Sequence, residues 1–139
     1  MSDISLLIVE DERLIAFTLE NALNAAGYGC AVASTGQAAL DLLNQDASCF
    51  KAVLTDIRLG KGPDGWEVAR RARELVPGMP VIYVSGDSAA GWRANGVTDS
   101  LMIPKPYAFA QIITAVSNML DPGPAITASG ATMAGEARG

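Results

Sequence analysis

With 139 residues, half of them hydrophobic and 18% charged, the chain has the length and balance expected of one globular domain with a single core. A formal charge of −5, with no long block of lysine or arginine, argues against the phosphate backbone of nucleic acid as a direct partner. There is no histidine, which excludes imidazole catalysis and His-ligated zinc, so any acid, base or metal chemistry must run on carboxylates, hydroxyls and amines.

The first residues carry Asp3 where a signal peptide would carry basic side chains, and the first apolar run stops at Val9. No apolar run approaches the roughly 20 residues needed to span a bilayer. These features predict a cytoplasmic protein without membrane contact. Cys30 and Cys49 are expected to be buried small hydrophobes in a reducing compartment.

The segment 4–9 is almost wholly apolar, the mark of a strand covered on both faces, and it runs into Glu10, Asp11 and Glu12. From Arg13 the period lengthens: Ile15, Leu19, Ala22, Leu23 and Ala26 share one helical face, and Gly27 and Gly29 end it. A second strand is expected over 30–33. Ser34 or Thr35 then caps a helix whose apolar side is Ala39, Leu40, Leu42 and Leu43. A third strand over 52–55 delivers Asp56 into a loop containing Gly60, Gly62, Pro63 and Gly65. Asp64 is placed to cap a helix over 66–75, closed by Pro77, Gly78 and Pro80. The fourth strand, 81–84, leads to Ser85, Gly86 and Asp87, and a short helix is expected over 88–95. The fifth strand, 101–103, stops at Pro104-Lys105-Pro106, because a proline on each side of the lysine interrupts regular structure. Phe109, Ile112, Ile113, Val116, Met119 and Leu120 then mark the last helix. Residues 1–121 are expected to form the domain, and 122–139, rich in Ala, Gly, Ser and Thr, a disordered tail.

Five rounds of strand then helix predict an α/β, flavodoxin-like (βα)5 fold: a doubly wound parallel sheet with strand order 2-1-3-4-5. Sites in such sheets lie at the carboxyl ends of the strands, where the order reverses. That rule gathers Glu10 and Asp11 from strand one, Asp56 from strand three, Ser85 from strand four and Lys105 from strand five. Three carboxylates around one cavity repel by about 1 to 4 kcal/mol per pair at 4 Å, which makes a cation the natural companion. Hard oxygen donors without imidazole or thiolate select Mg2+, with Mn2+ as the alternative. An aspartate beside such a cation and a lysine is equipped to accept a phosphoryl group; Ser85 can donate its hydroxyl to a phosphoryl oxygen, and Gly86 leaves room for the incoming group.

These residues, in this order on these strand ends, resemble the receiver domain of bacterial two-component response regulators, in its stand-alone form, across 4–120. The resemblance implies that Asp56 takes a phosphoryl group from a phosphohistidine on a sensor histidine kinase or a histidine phosphotransfer protein. It implies that Glu10 (through water), Asp11, Asp56 and the backbone carbonyl of Arg58 hold Mg2+, that Lys105 pairs with the phosphoryl group, and that the Lys105-Pro106 peptide is cis. It also implies that Ser85 moves toward the phosphate and reports to the surface of helix four, strand five and helix five, where an unknown downstream protein binds. Trp92, Met102 and Tyr107 are candidates for that surface. Arg58 and Asp87 flank the expected path of the hydrolytic water and are expected to tune the lifetime of the phosphoryl group.

Three features depart from the common receiver pattern: Met102 stands where an aromatic residue is usual, Pro104 precedes Lys105, and the loop after Asp56 is one residue longer. The alternative is a Mg2+-dependent phosphatase with an aspartyl-phosphate intermediate, but Asp56-Ile57-Arg58 supplies no second acid two residues on. Flavin binding would need a hydroxyl-rich phosphate loop after strand one, where this chain has acids.

Overall fold

The computed structural model describes residues 5–86, 89–120 and 132–133. Strands β1 (Ser5–Val9), β2 (Gly29–Ala33), β3 (Ala52–Asp56), β4 (Val81–Ser85) and β5 (Leu101–Pro104) alternate with helices α1 (Arg13–Ala25), α2 (Gly36–Asp46), α3 (Gly65–Leu75), α4 (Ala89–Asn95) and α5 (Phe109–Leu120). The five strands are parallel, as the alternation of short apolar runs and amphipathic helices predicts, and their order is β2-β1-β3-β4-β5, the expected one.

The strands read as continuous apolar runs because both faces are covered. Leu7, Val9, Val53, Val81 and Tyr83 enter one core with α2, α3 and Trp92, whereas Leu6, Ile8, Leu54, Ile82, Val84 and Ile103 enter the other with α1 and α5. Two caps fix helix starts: Thr35 accepts from the Ala38 amide at 3.0 Å, and Asp64 from the Glu67 amide at 3.0 Å. Each such cap is worth about 1 kcal/mol.

Several details differ from the sequence expectations. A turn of 3-10 helix, Ala47–Cys49, follows α2 and exposes Cys49; Asp46 caps it through the Ser48 amide at 3.2 Å. Cys30 is only half-buried. Strand β5 extends through Pro104, which the sheet tolerates at a strand end. Thr132–Met133, within the segment expected to be a disordered tail, pair antiparallel with Leu101 and Met102 as a sixth strand, β6; the rest of that segment lies outside the described residues. Trp92, expected on the surface, is 4% exposed. Its indole N–H donates to Ser100 Oγ at 3.0 Å, which satisfies the one polar atom that would oppose burial.

Candidate functional site

The register of the sheet sets the site. Thr55, Tyr83 and Met102 stand side by side on β3, β4 and β5, and one residue further Asp56 pairs with Val84 and Val84 with Ile103. The strands end at that row or one residue beyond it, so that Asp56 and Ser85 are the last residues of β3 and β4, and Glu10 and Lys105 the first residues after β1 and β5. Glu10 follows β1 directly: its amide donates to the Ala33 carbonyl at 3.1 Å, and its carboxylate accepts from the Glu12 amide at 3.1 Å. Asp56 closes β3, and the next amide, Ile57, donates to the Val84 carbonyl at 3.2 Å. The Lys105 amide donates to the Ser85 carbonyl at 2.8 Å, tying the ends of β4 and β5 together, and the Lys105-Pro106 peptide is cis.

Two glycines make these approaches possible. A Cβ on Gly65 would stand 2.1 Å from the Asp56 carbonyl oxygen, so the first turn of α3 can close over β3 only without a side chain there. Gly60 has φ +77°, a conformation that disfavours L side chains, and lies beside the Asp11 carboxylate.

Glu10, Asp11 and Asp56 present carboxylate oxygens that all lie within 4.8 Å of one another. Glu10 and Asp56 are buried and Asp11 is exposed. Lys105 Nζ forms an ion pair with Asp56 Oδ1 at 3.0 Å. A cavity of about 330 Å³ opens over this pair, lined by Asp56, Arg58, Val84, Ser85, Gly86 and Lys105. Burial, followed by its hydrogen bond to Asp56, pushes the Glu10 carboxyl up to about 8. Burial alone would lower the Lys105 ammonium, yet the hydrogen bond and charge of Asp56 carry it above the usual lysine range. Tyr107 is raised by burial and then by the charge of Glu10.

The structure thus brings together Glu10, Asp11, Asp56, Ser85 and Lys105, the five residues that the strand-end rule gathered, with Arg58 on the cavity wall. Asp87 lies outside the described residues. Sequence reading missed Thr55, whose buried hydroxyl donates to the Asp56 carbonyl at 2.7 Å, and Tyr83, whose buried phenol oxygen accepts from the Val97 amide at 3.1 Å. The signal was available: a hydroxyl in an otherwise aliphatic buried strand must find a partner.

The donor set, three carboxylates and no nitrogen or sulfur ligand, suits a hard divalent cation. A buried aspartate held by a lysine at the floor of an open cavity is arranged to receive an electrophile whose charge the surrounding cations can neutralise.

Residues 6–117 match the response regulator receiver domain family. The response regulator receiver protein CpdR of Brucella abortus is 28% identical over 117 residues, covering 83% of this chain and 95% of that protein. Response regulator MprA of Mycolicibacterium vanbaalenii is 27% identical over 119 residues, and the chain spans only 50% of its length. The sensor kinase CckA of Brucella abortus is 29% identical over 119 residues, 12% of its length. Among solved structures, a response regulator receiver protein from Sinorhizobium medicae is 43% identical with a TM-score of 0.81, covering 84% of this chain and 94% of that one. A CheY-like receiver domain protein from Methanospirillum hungatei is 27% identical with a TM-score of 0.77, covering 87% and 96%. Fold, strand-end chemistry and sequence similarity converge, and the chain belongs to the receiver-domain family of response regulators.

Proposed function

We propose that the chain is a phosphoacceptor switch of a two-component phosphorelay, with Asp56 as the acceptor. The observation that carries this reading is the Lys105–Asp56 ion pair at 3.0 Å on the floor of the cavity, with the Glu10 and Asp11 carboxylates beside it. An Asp56 carboxylate oxygen attacks the phosphorus of a phosphohistidine; the O–P bond forms as the P–N bond breaks, and the imidazole leaves with the electron pair of that bond. Lys105 follows the phosphoryl oxygens with its ammonium. The Ser85 hydroxyl donates to one of them. Glu10, Asp11, Asp56 and the Arg58 carbonyl would hold Mg2+, or Mn2+, which supplies neutralisation of charge on the phosphoryl oxygens when bound. Arg58 at the cavity wall, with Asp87, tunes how long the phosphoryl group survives.

The donor is a sensor histidine kinase or a histidine phosphotransfer protein, a reading supported by the similarity to the CckA segment as well as to free receivers. Residues 1–121 carry the switch, and its output is a changed contact with a downstream protein. No helix among the described residues is long and apolar enough to cross a membrane; a cytoplasmic site of action follows from the proposed histidine-kinase donor.

Incubation with acetyl phosphate and Mg2+, read by intact mass, tests the proposal. One phosphoryl adduct is expected on the wild type and none on Asp56→Asn. An adduct that persists in Asp56→Asn would overturn it.

A further inference from the structure

Met102 occupies the β5 position level with Tyr83 of β4, so the large ring in this row lies on the neighbouring strand. Tyr83 is fully buried, and its ring lies 4.8 Å from that of Trp66, tilted by 60°. Its oxygen accepts from the Val97 amide at 3.1 Å. The Val97 carbonyl accepts from the Ser100 hydroxyl at 2.6 Å, and Ser100 Oγ accepts from the Trp92 indole N–H at 3.0 Å. Gly96 closes the end of α4 against Trp92: its amide donates to the Trp92 carbonyl at 2.8 Å, and a Cβ there would meet the indole ring at 2.5 Å. A chain of hydrogen bonds thus runs from the middle of β4 to the buried face of α4. Tyr83 and Ser85 lie two residues apart on β4 and so project to the same face of the sheet.

We propose that Tyr83 is the positioning residue that couples the Ser85 end of β4 to α4, acting through Val97, Ser100 and Trp92. This rests on the reading of Asp56 as phosphoacceptor. A helix of only seven residues, α4 gains little stability from its own backbone and depends on what anchors it. When Ser85 turns toward a phosphoryl group, the Tyr83 ring beneath it repacks, the bond to Val97 opens, and the turn after α4 is released. Met102, unbranched and half-buried beside the ring, can adapt its shape to that movement.

The test is amide hydrogen exchange at Val97, together with the Trp92 indole N–H resonance assigned with Trp92→Phe, in the presence of Mg2+ with and without acetyl phosphate. In the wild type, phosphorylation is expected to speed Val97 exchange by roughly tenfold, the effect of losing one hydrogen bond, and to shift the Trp92 signal. In Tyr83→Phe, Val97 should exchange fast already, and phosphorylation should move neither signal. Ser100→Ala keeps the Tyr83 bond and should preserve the Val97 response while losing the Trp92 response; it carries the test if Tyr83→Phe folds poorly. Intact mass is read on the same samples, so a wild type without an adduct overturns the phosphoacceptor reading on which the coupling rests. An adduct on Asp56 with unchanged Val97 exchange, or a full Trp92 response in either variant, overturns the coupling itself.

Discussion

Burial costs Glu10 its charge before any neighbour is considered, and the adjoining Asp56 adds to the effect, pushing the carboxyl from 4.5 up to about 8. Between those values the folded protein holds a proton that the unfolded chain has released. The contribution of Glu10 to the stability of the metal-free protein should therefore be full below about pH 4.5 and decline as pH rises toward 8. Glu10→Gln, neutral at every pH, removes the titrating group while keeping the volume, and should flatten that decline in urea unfolding across the window. Equal slopes for wild type and Glu10→Gln would show that Glu10 does not carry the proton. The same substitution bears on cation binding, since a hard cation must displace that proton before Glu10 can serve it.

Helix α1 begins two residues after Asp11 and leaves two large apolar side chains in water, Leu14 at 76% and Phe17 at 61% exposure. Three residues apart, they share one helical face at the rim of the site. A protein that brings a phosphohistidine to Asp56 must cover that rim, whereas a small donor need not. Leu14→Ser with Phe17→Ser should thus slow phosphotransfer from a histidine kinase by tenfold or more, at about 1.5 kcal/mol or more of lost burial for each side chain, and leave labelling by acetyl phosphate unchanged. Radiolabelled transfer compared with intact-mass labelling decides it: equal loss in both assays would point to a damaged site. The inward face of α1, marked by Leu19 and Leu23, was legible from its period, but that period is silent about Leu14 and Phe17, because their exposure depends on what lies outside the fold. The strands were legible because burial on both faces leaves little but apolar residues, and their ends were legible because chemistry collects where apolar runs stop. The burial of Trp92 was not, since α4 is too short to show a period and the indole is satisfied by Ser100, eight residues on. Nor was the Tyr83–Val97 bond, which joins residues that only the sheet brings together.

Folding draws Asp56, distant in the unfolded chain, to within 4.8 Å of the adjacent pair Glu10 and Asp11 at one end of the sheet; with Glu10 holding its proton, the native state alone bears the repulsion between Asp11 and Asp56. Lys105 offsets part of it through Asp56. Asp11, the exposed member, contributes charge to the cluster with little packing, which makes it the cleanest probe of that repulsion. A cation that binds only the assembled acids adds its binding free energy to folding: at a hundred times its dissociation constant, about 2.7 kcal/mol, or roughly 10 °C in melting temperature for a domain of this size. Mg2+ should raise the melting temperature of the wild type by that order. Asp11→Ala should melt higher than the wild type without metal, because one repelling charge is gone, and should gain almost nothing from Mg2+. Relative to the wild type the variant should thus melt higher without metal and lower with Mg2+, a reversal that general loss of structure cannot imitate. A variant that melts lower than the wild type without metal, or that keeps the full Mg2+ shift, would place the repulsion, or the cation, somewhere other than at this cluster.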